Sequence, residues 1–291
     1  MTEVLSIAFK ISLMIFMAGN LLDMGLRLKI QDTLVGLRNG RFVIHSLLWS
    51  FVLGPALAYL VTVVVPLDPP YAMSLLLVSM APCAPFLPAV VGKARGDLGY
   101  TASFMLLAAF GTVVYMPVVV PLVVKGVTVS AWGIAKPLLM LVLVPMAIGM
   151  ATFSAAPALA AKLQPAVKTI TTIGTVIMLT LLMVLYGKGF LGSAGSYATL
   201  TLTGFLLVVT AASYGLAFGL SPDQKSVLSL GVCTRNAGAA LAALYAVPDL
   251  DPRAVIGAAL VVPIMVIVSI VAARWFAGLA GAAPMKVGAR I

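Results

Sequence analysis

The chain is a succession of apolar runs, each about as long as a bilayer is thick, joined by short polar connections. A membrane helix needs about 20 predominantly apolar residues. On that measure nine runs qualify: Val4–Leu28, Phe42–Val65, Tyr71–Val91, Leu98–Val124, Ala131–Ala151, Val167–Leu185, Ala198–Leu220, Val227–Val247 and Ala254–Ala277. Nothing between them resembles a soluble domain or a low-complexity linker, which predicts a single all-α polytopic membrane domain over residues 1–291. Two runs break the pattern. The third holds Pro82, Pro85 and Pro88 within APCAPFLPA, and each proline removes a backbone donor and clashes with the preceding turn, so no continuous helix passes through it. The eighth holds GVCTRNAGA (Gly231–Ala239), which puts Arg235 and Asn236 inside an apolar run beside Gly231, Ala237 and Gly238. An arginine at a helix centre costs roughly 2.5–3.5 kcal/mol on insertion scales, so it is kept only against protein, water or a ligand. Backbone groups freed at that depth need partners. Interruptions near corresponding points of the two halves predict inverted repeats, with a binding site where the breaks cross.

Composition agrees with the pattern. The chain is 62% hydrophobic and 9% charged, with a mean hydropathy of +1.16, outside the range of soluble domains. A net charge of +10 would suggest nucleic acid in a soluble chain; here it belongs to loops, and no nucleic-acid partner is expected. With the first connection cytoplasmic, that side gathers Arg27, Lys29, Arg38, Arg41, Lys93, Arg95, Lys162, Lys168, Lys225, Arg274, Lys286 and Arg290, against Lys125, Lys136, Lys188 and Arg253 opposite. The positive-inside rule then predicts an outside N-terminus and a cytoplasmic C-terminus, in a bacterial inner membrane. The two cysteines, Cys83 and Cys233, fall in apolar segments, which argues against a disulfide. The first run lacks a charged n-region and an A-x-A site and contains Lys10, which predicts no cleaved signal peptide. There is no paired-carboxylate site, metal-ligand cluster or phosphate loop, so an enzyme and a resident cofactor are not expected. A non-transporting scaffold would have no use for polar helix breaks.

Several residues together resemble a known family. They are MGLRLK (Met24–Lys29) ending the first run, the proline-broken third run with ARGD (Ala94–Asp97), PVVVP (Pro117–Pro121) and RNAGAALAAL (Arg235–Leu244). In order and spacing the chain resembles the bile acid:sodium symporter family, within the group that also holds arsenite-efflux permeases and auxin-carrier-like proteins. The resemblance implies a panel domain (about 1–30 and 130–187) and a core domain (about 40–125 and 197–280) containing two crossed broken helices. It also implies a nine-helix version lacking the helix that precedes the MGL motif in ten-helix members. The implied activity is secondary transport of a small or amphipathic organic anion by alternating access. Sodium-coupled members have a Ser-Asn pair where this chain has Leu87 and Pro88, and a Glu and a Gln where it has Gly231 and Arg235. Sodium wants hard oxygen ligands, and a guanidinium 4 Å away would repel it by about 4 kcal/mol at an effective dielectric of 20. This argues against sodium coupling through those positions. A sodium ion through a rearranged site, or a proton, stays open as the coupling ion.

Within that frame Arg235 reads either as an anion anchor, since its forked donors suit a carboxylate or sulfonate, or as a structural cap for freed carbonyls. Thr234 and Asn236 would shape the crossing, Asn236 by bonding the unwound third run or by plain helix–helix bonding. Cys83, Ala84, Pro85, Phe86, Leu87 and Pro88 would complete it, with carbonyls around Cys83–Phe86 and apolar walls from Phe86 and Leu87. Asp23 beside Asn20 reads as a proton-coupling acid, a partner for Arg235 or a snorkelling interfacial group. Thr101 is a candidate ion ligand. His45 reads as interfacial rather than as a relay. Cys83 in APC is shared with arsenite permeases, an alternative in which a thiolate binds metalloid, although buried cysteines usually pack. Trp49, Trp132 and Trp275 lie near run ends, as interfacial anchors do. The expected partners are a small organic anion and the lipid bilayer, and a homo-oligomer is compatible with all of this.

Overall fold

The computed structural model describes residues 2–28, 30–123, 130–193 and 196–282, and every regular element among them is helical. Of the loop charges, Lys29, Lys125, Lys286 and Arg290 lie outside the described residues, as does the side chain of Lys188.

In chain order, α1 (Thr2–Gly25) is followed by a short α2 (Ile30–Leu37), in a stretch where the apolar pattern predicts only a connection. Next come α3 (Gly40–Leu48), a π-helical stretch over Trp49–Leu53 and α4 (Gly54–Val64), stacked as one 25-residue apolar rod. The third run divides into α5 (Pro69–Ser79) and α6 (Leu87–Lys93), and α7 (Leu98–Val123) follows. A second rod consists of α8 (Ala131–Leu138), a π-helical stretch over Leu139–Leu143 and α9 (Val144–Ala155). Then come α10 (Pro157–Ser193), α11 (Ala198–Gly215), the divided pair α12 (Pro222–Cys233) and α13 (Ala237–Leu244), and α14 (Pro252–Ala282).

Seven helices or stacked rods among the described residues are long and apolar enough to cross a membrane; α5–α6 and α12–α13 are the two divided runs. The sixth run begins ten residues before its apolar stretch, at Pro157, because Pro165 sits inside a helix that the polar Lys162, Gln164 and Lys168 do not end. The seventh stops at Gly215 instead of reaching Leu220.

Two groups of helices are apparent from packing. One sets α1 lengthwise against α9 and α10. In the other, α11, α12 and α14 pack on one another, α5 packs on α14, and α7 meets α12. At the centre of the second group, Val227–Cys233 and all of α13 are buried. A helix apolar on every side belongs in such a position. Val64, Leu122, Leu200 and Ile267 are exposed on the perimeter, as suits a protein whose solvent there is lipid. Trp132 and Trp275 are exposed, but Trp49 is buried at 5% exposure. It lies well inside its rod, at the start of the π-helical stretch, and so is no interfacial anchor.

A candidate binding site at two joined helix breaks

After Ser79 the prolines deny the chain a helix, and Met80–Phe86 runs as irregular backbone. After Cys233 the chain extends through Thr234 (φ −76, ψ 128) before Asn236 opens α13. The two irregular segments solve each other's deficit. Pro82 and Arg235 form an antiparallel bridge, in which Asn236 N donates to Ala81 O at 2.8 Å and Cys83 N donates to Thr234 O at 2.7 Å and to Gly231 O at 3.1 Å. Backbone groups that lipid would leave unsatisfied are thereby paired inside the protein. Cys83 adopts φ 70 to make the turn, an uncommon conformation for a residue with a side chain.

Side chains complete the junction. Asn236 Oδ1 accepts from Ala239 N at 3.0 Å, capping α13. Thr234 Oγ1 donates back to Leu230 O at 2.9 Å. Gly231 leaves no room for a side chain, because a Cβ there would run into the Phe104 ring. Pro88 falls in the first turn of α6, where a missing N–H costs no helical bond.

Arg235 is fully buried. Its Nη1 donates to Ser79 O at 3.0 Å, a carbonyl freed at the end of α5, and its guanidinium carbon lies 5.2 Å from the centre of the Phe205 ring. A side chain at Gly54 would come within 3.5 Å of Nη2. Nε and Nη2 have no hydrogen-bond partner, and Arg235 forms no ion pair among the described residues. Asp23 therefore does not pair with Arg235. It is buried and pairs with Arg27 one turn on, while its Oδ1 accepts from Gln164 Nε2 of α10 at 2.8 Å.

Two clefts open beside the junction, between α1 and the α6–α7 side. The larger, about 320 Å³, is lined by Arg27, Pro85, Pro88, Thr101 and Met105 among others. The smaller, about 240 Å³, is lined by Asn20, Asp23, Arg27, Lys168, Thr171 and Phe86 among others. A small void between them and the junction touches Cys83, Pro85 and Asn236. Of the candidate residues, Asn236, Cys83, Pro85, Phe86, Pro88, Asp23, Asn20 and Thr101 thus line open space. Arg235, Thr234, Ala84 and Leu87 are buried away from these clefts. Asn20 Nδ2 donates to Phe16 O at 2.7 Å and Thr101 Oγ1 to Asp97 O at 2.7 Å. His45 Nε2 lies 3.2 Å from Phe218 O, remote from the junction in sequence and in its partners. Both cysteines are free and buried.

The sequence matches the sodium bile acid symporter family over residues 13–193, more than half of the chain. The chain belongs to that family. Its members are transporters, and the apolar helices make this chain an integral membrane one. No curated protein matches it. The family match contains the first break and both walls of the clefts, whereas Thr234–Asn236 lies beyond its end. Arg27, Gln164, Lys168 and Thr171 escaped sequence reasoning. The i, i+4 spacing of Asp23 and Arg27 was a visible signal for one pair; contacts to α10, 141 residues away, had none.

Proposed function

We propose that this member of the family moves a small or amphipathic organic anion by alternating access, around the joined breaks. The observation that carries the reading is the junction itself: two interrupted helices bonded to each other, with clefts alongside that contain Arg27 and Lys168. Counting the seven long helices and rods with the two divided runs, the chain traverses the membrane nine times, as inverted repeats. The group α1, α8–α10 corresponds to the panel and the remaining long helices to the core. Their packing supports this division, since α1 rests on α9 and α10 along its length. Displacement of one group against the other would open the clefts first to one side and then to the other. The basic connections orient the cleft end toward the cytoplasm.

Sodium does not fit the donor set at the crossing. A fixed guanidinium stands there, and no three His, Cys, Asp or Glu side chains come close enough together to hold an ion among the described residues, so only neutral oxygens could offset its repulsion. Arg235 serves the crossing as a built-in cation, bonding the Ser79 carbonyl and resting on Phe205. Its burial among groups that do not line the clefts favours the structural role over the anchor.

The test is uptake of radiolabelled taurocholate, benzoate and 2-oxoglutarate into proteoliposomes, in sodium and in potassium. Saturable uptake of at least one anion, equal in the two salts, is expected. Uptake that needs sodium would refute the ion argument, and uptake of none of the three would refute the anion reading.

A further inference from the structure

The α1–α10 wall of the smaller cleft has features the crossing lacks. We infer that the charged group of the transported anion is held on this wall by Arg27 and Lys168, with Asp23 as an internal competitor for Arg27, an inference that rests on the organic-anion reading above.

Charge comes first. Arg27, Lys168 and Asp23 line the cleft together, so the wall carries one positive charge in excess. Asp23 engages one edge of Arg27, through Nη2 to Oδ2 and through Nε to its own backbone carbonyl at 3.2 Å. No bond is made by Arg27 Nη1 or by the Lys168 ammonium among the described residues, and both side chains are exposed to the cleft side of the protein. Gln164 holds the second oxygen of Asp23, so the carboxylate stays in place while Arg27 remains partly free.

Hydroxyl chemistry gives an independent sign. Three threonines of α10 line the cleft. Thr172 and Thr175 give their protons to carbonyls of their own helix, Lys168 O and Thr171 O, each at 2.7 Å. Thr171 gives its proton to nothing: its Oγ1 is buried without a partner, over Gly19, where any side chain would collide with it. A buried hydroxyl without a partner costs about 1–3 kcal/mol. That oxygen faces Gly19 and not the cleft, so an anion oxygen would accept from it only once the Thr171 side chain turns about χ1, one helical turn from Lys168. The facing wall supplies Pro85, Phe86, Pro88 and Ala89, with no charged group. A monovalent carboxylate or sulfonate on a compact apolar body matches the pair of walls: its head between Arg27, Lys168 and Thr171, its body on α6.

Asp23 turns this from a static site into an exchange. The incoming anion takes over the Arg27 contacts that Asp23 makes in the empty protein, so removing the Asp23 charge should strengthen binding. A purely structural Arg27–Asp23 pair would not respond in that way.

The experiment is equilibrium binding of 4-fluorobenzoate and taurocholate to the full chain in nanodiscs, with thermal midpoints to confirm that each variant is folded. Arg27→Gln and Lys168→Gln should each weaken binding by about tenfold or more, the worth of a charge-assisted hydrogen bond. Thr171→Val should weaken it by about threefold to tenfold. Asp23→Asn should tighten it severalfold. Unaltered binding in the Arg27→Gln, Lys168→Gln double variant, or weaker binding in Asp23→Asn, overturns the inference while leaving the organic-anion reading standing. Loss of binding in folded Arg235→Met alone moves the anchor to the crossing and also overturns it. Failure of the wild type to bind either anion removes this inference, and if uptake of all three anions also fails, it removes the broader reading with it.

Discussion

The two interruptions that meet at the centre of the molecule are made by different means. In Met80–Phe86 the break is favoured by the covalent chain itself, since prolines at 82 and 85 cannot donate and disfavour a helix at the residues before them. In Thr234–Asn236 nothing covalent forbids a helix: the residues are capable of one, and the break is held by what surrounds it. Asn236 caps the helix that follows, Arg235 reaches the Ser79 carbonyl, and Cys83 N occupies the Thr234 carbonyl. One segment is therefore a rigid template, and the other is shaped on it. The first should tolerate loss of single side chains, whereas the second should not.

That contrast can be broken by mutation. The largest effect is expected for Arg235→Ala, which removes the partner of Ser79 O and leaves a void beside Phe205. Destabilisation of about 3–5 kcal/mol follows from cavity formation and the lost bond, read as a drop in thermal midpoint of the detergent-purified protein. Arg235→Met, which keeps the volume and removes the buried charge, should recover most of that loss. Equal damage from both would show that the charge, not the filling, holds the segment. Next is Asn236→Ala, which deletes the α13 cap and should cost about 1–2 kcal/mol in the same assay. The smallest effect is expected in the template: Pro85→Ala removes no hydrogen bond, since proline has no N–H to give, so a loss of less than about 1 kcal/mol should arise from the freer unfolded chain. A Pro85→Ala loss as large as that of Asn236→Ala would erase the distinction between the two breaks.

Both interruptions could be placed from the amino-acid sequence because their signals are local and opposed to their surroundings: prolines, or an Arg-Asn pair, inside apolar runs. The helical membrane class was legible for the same reason. Boundaries set by packing were less so. The N-terminal third of α10, with Lys162, Gln164 and Lys168, looks like a connection by hydropathy, yet it is helical and brings Gln164 and Lys168 to the α1 face. The distance of Trp49 from a run end points to the interface, but a π-helical stretch and the neighbouring helices bury it. The cleft was hidden most completely. Asp23 and Arg27 are visible as a pair at the end of one apolar run, but their counterparts lie on another helix, and no periodicity in a single chain records which two helices will face each other.

The short α2 ties the end of α1 to a different part of the molecule. Gly36 N donates to Ser103 Oγ at 3.0 Å, Ser103 Oγ donates to Thr33 O at 2.6 Å, and Asn39 Nδ2 donates to Tyr100 Oη at 3.0 Å, so this helix is fastened to α7. The helix before it packs against α9 and α10. Between the last residue of α1, Gly25, and the first of α2, Ile30, only four residues join two bodies that must slide past each other if the clefts are to open and shut. Under the proposed alternating access, a tether of that length, at about 3.3–3.6 Å per extended residue, would cap how far α1 could be carried from α7.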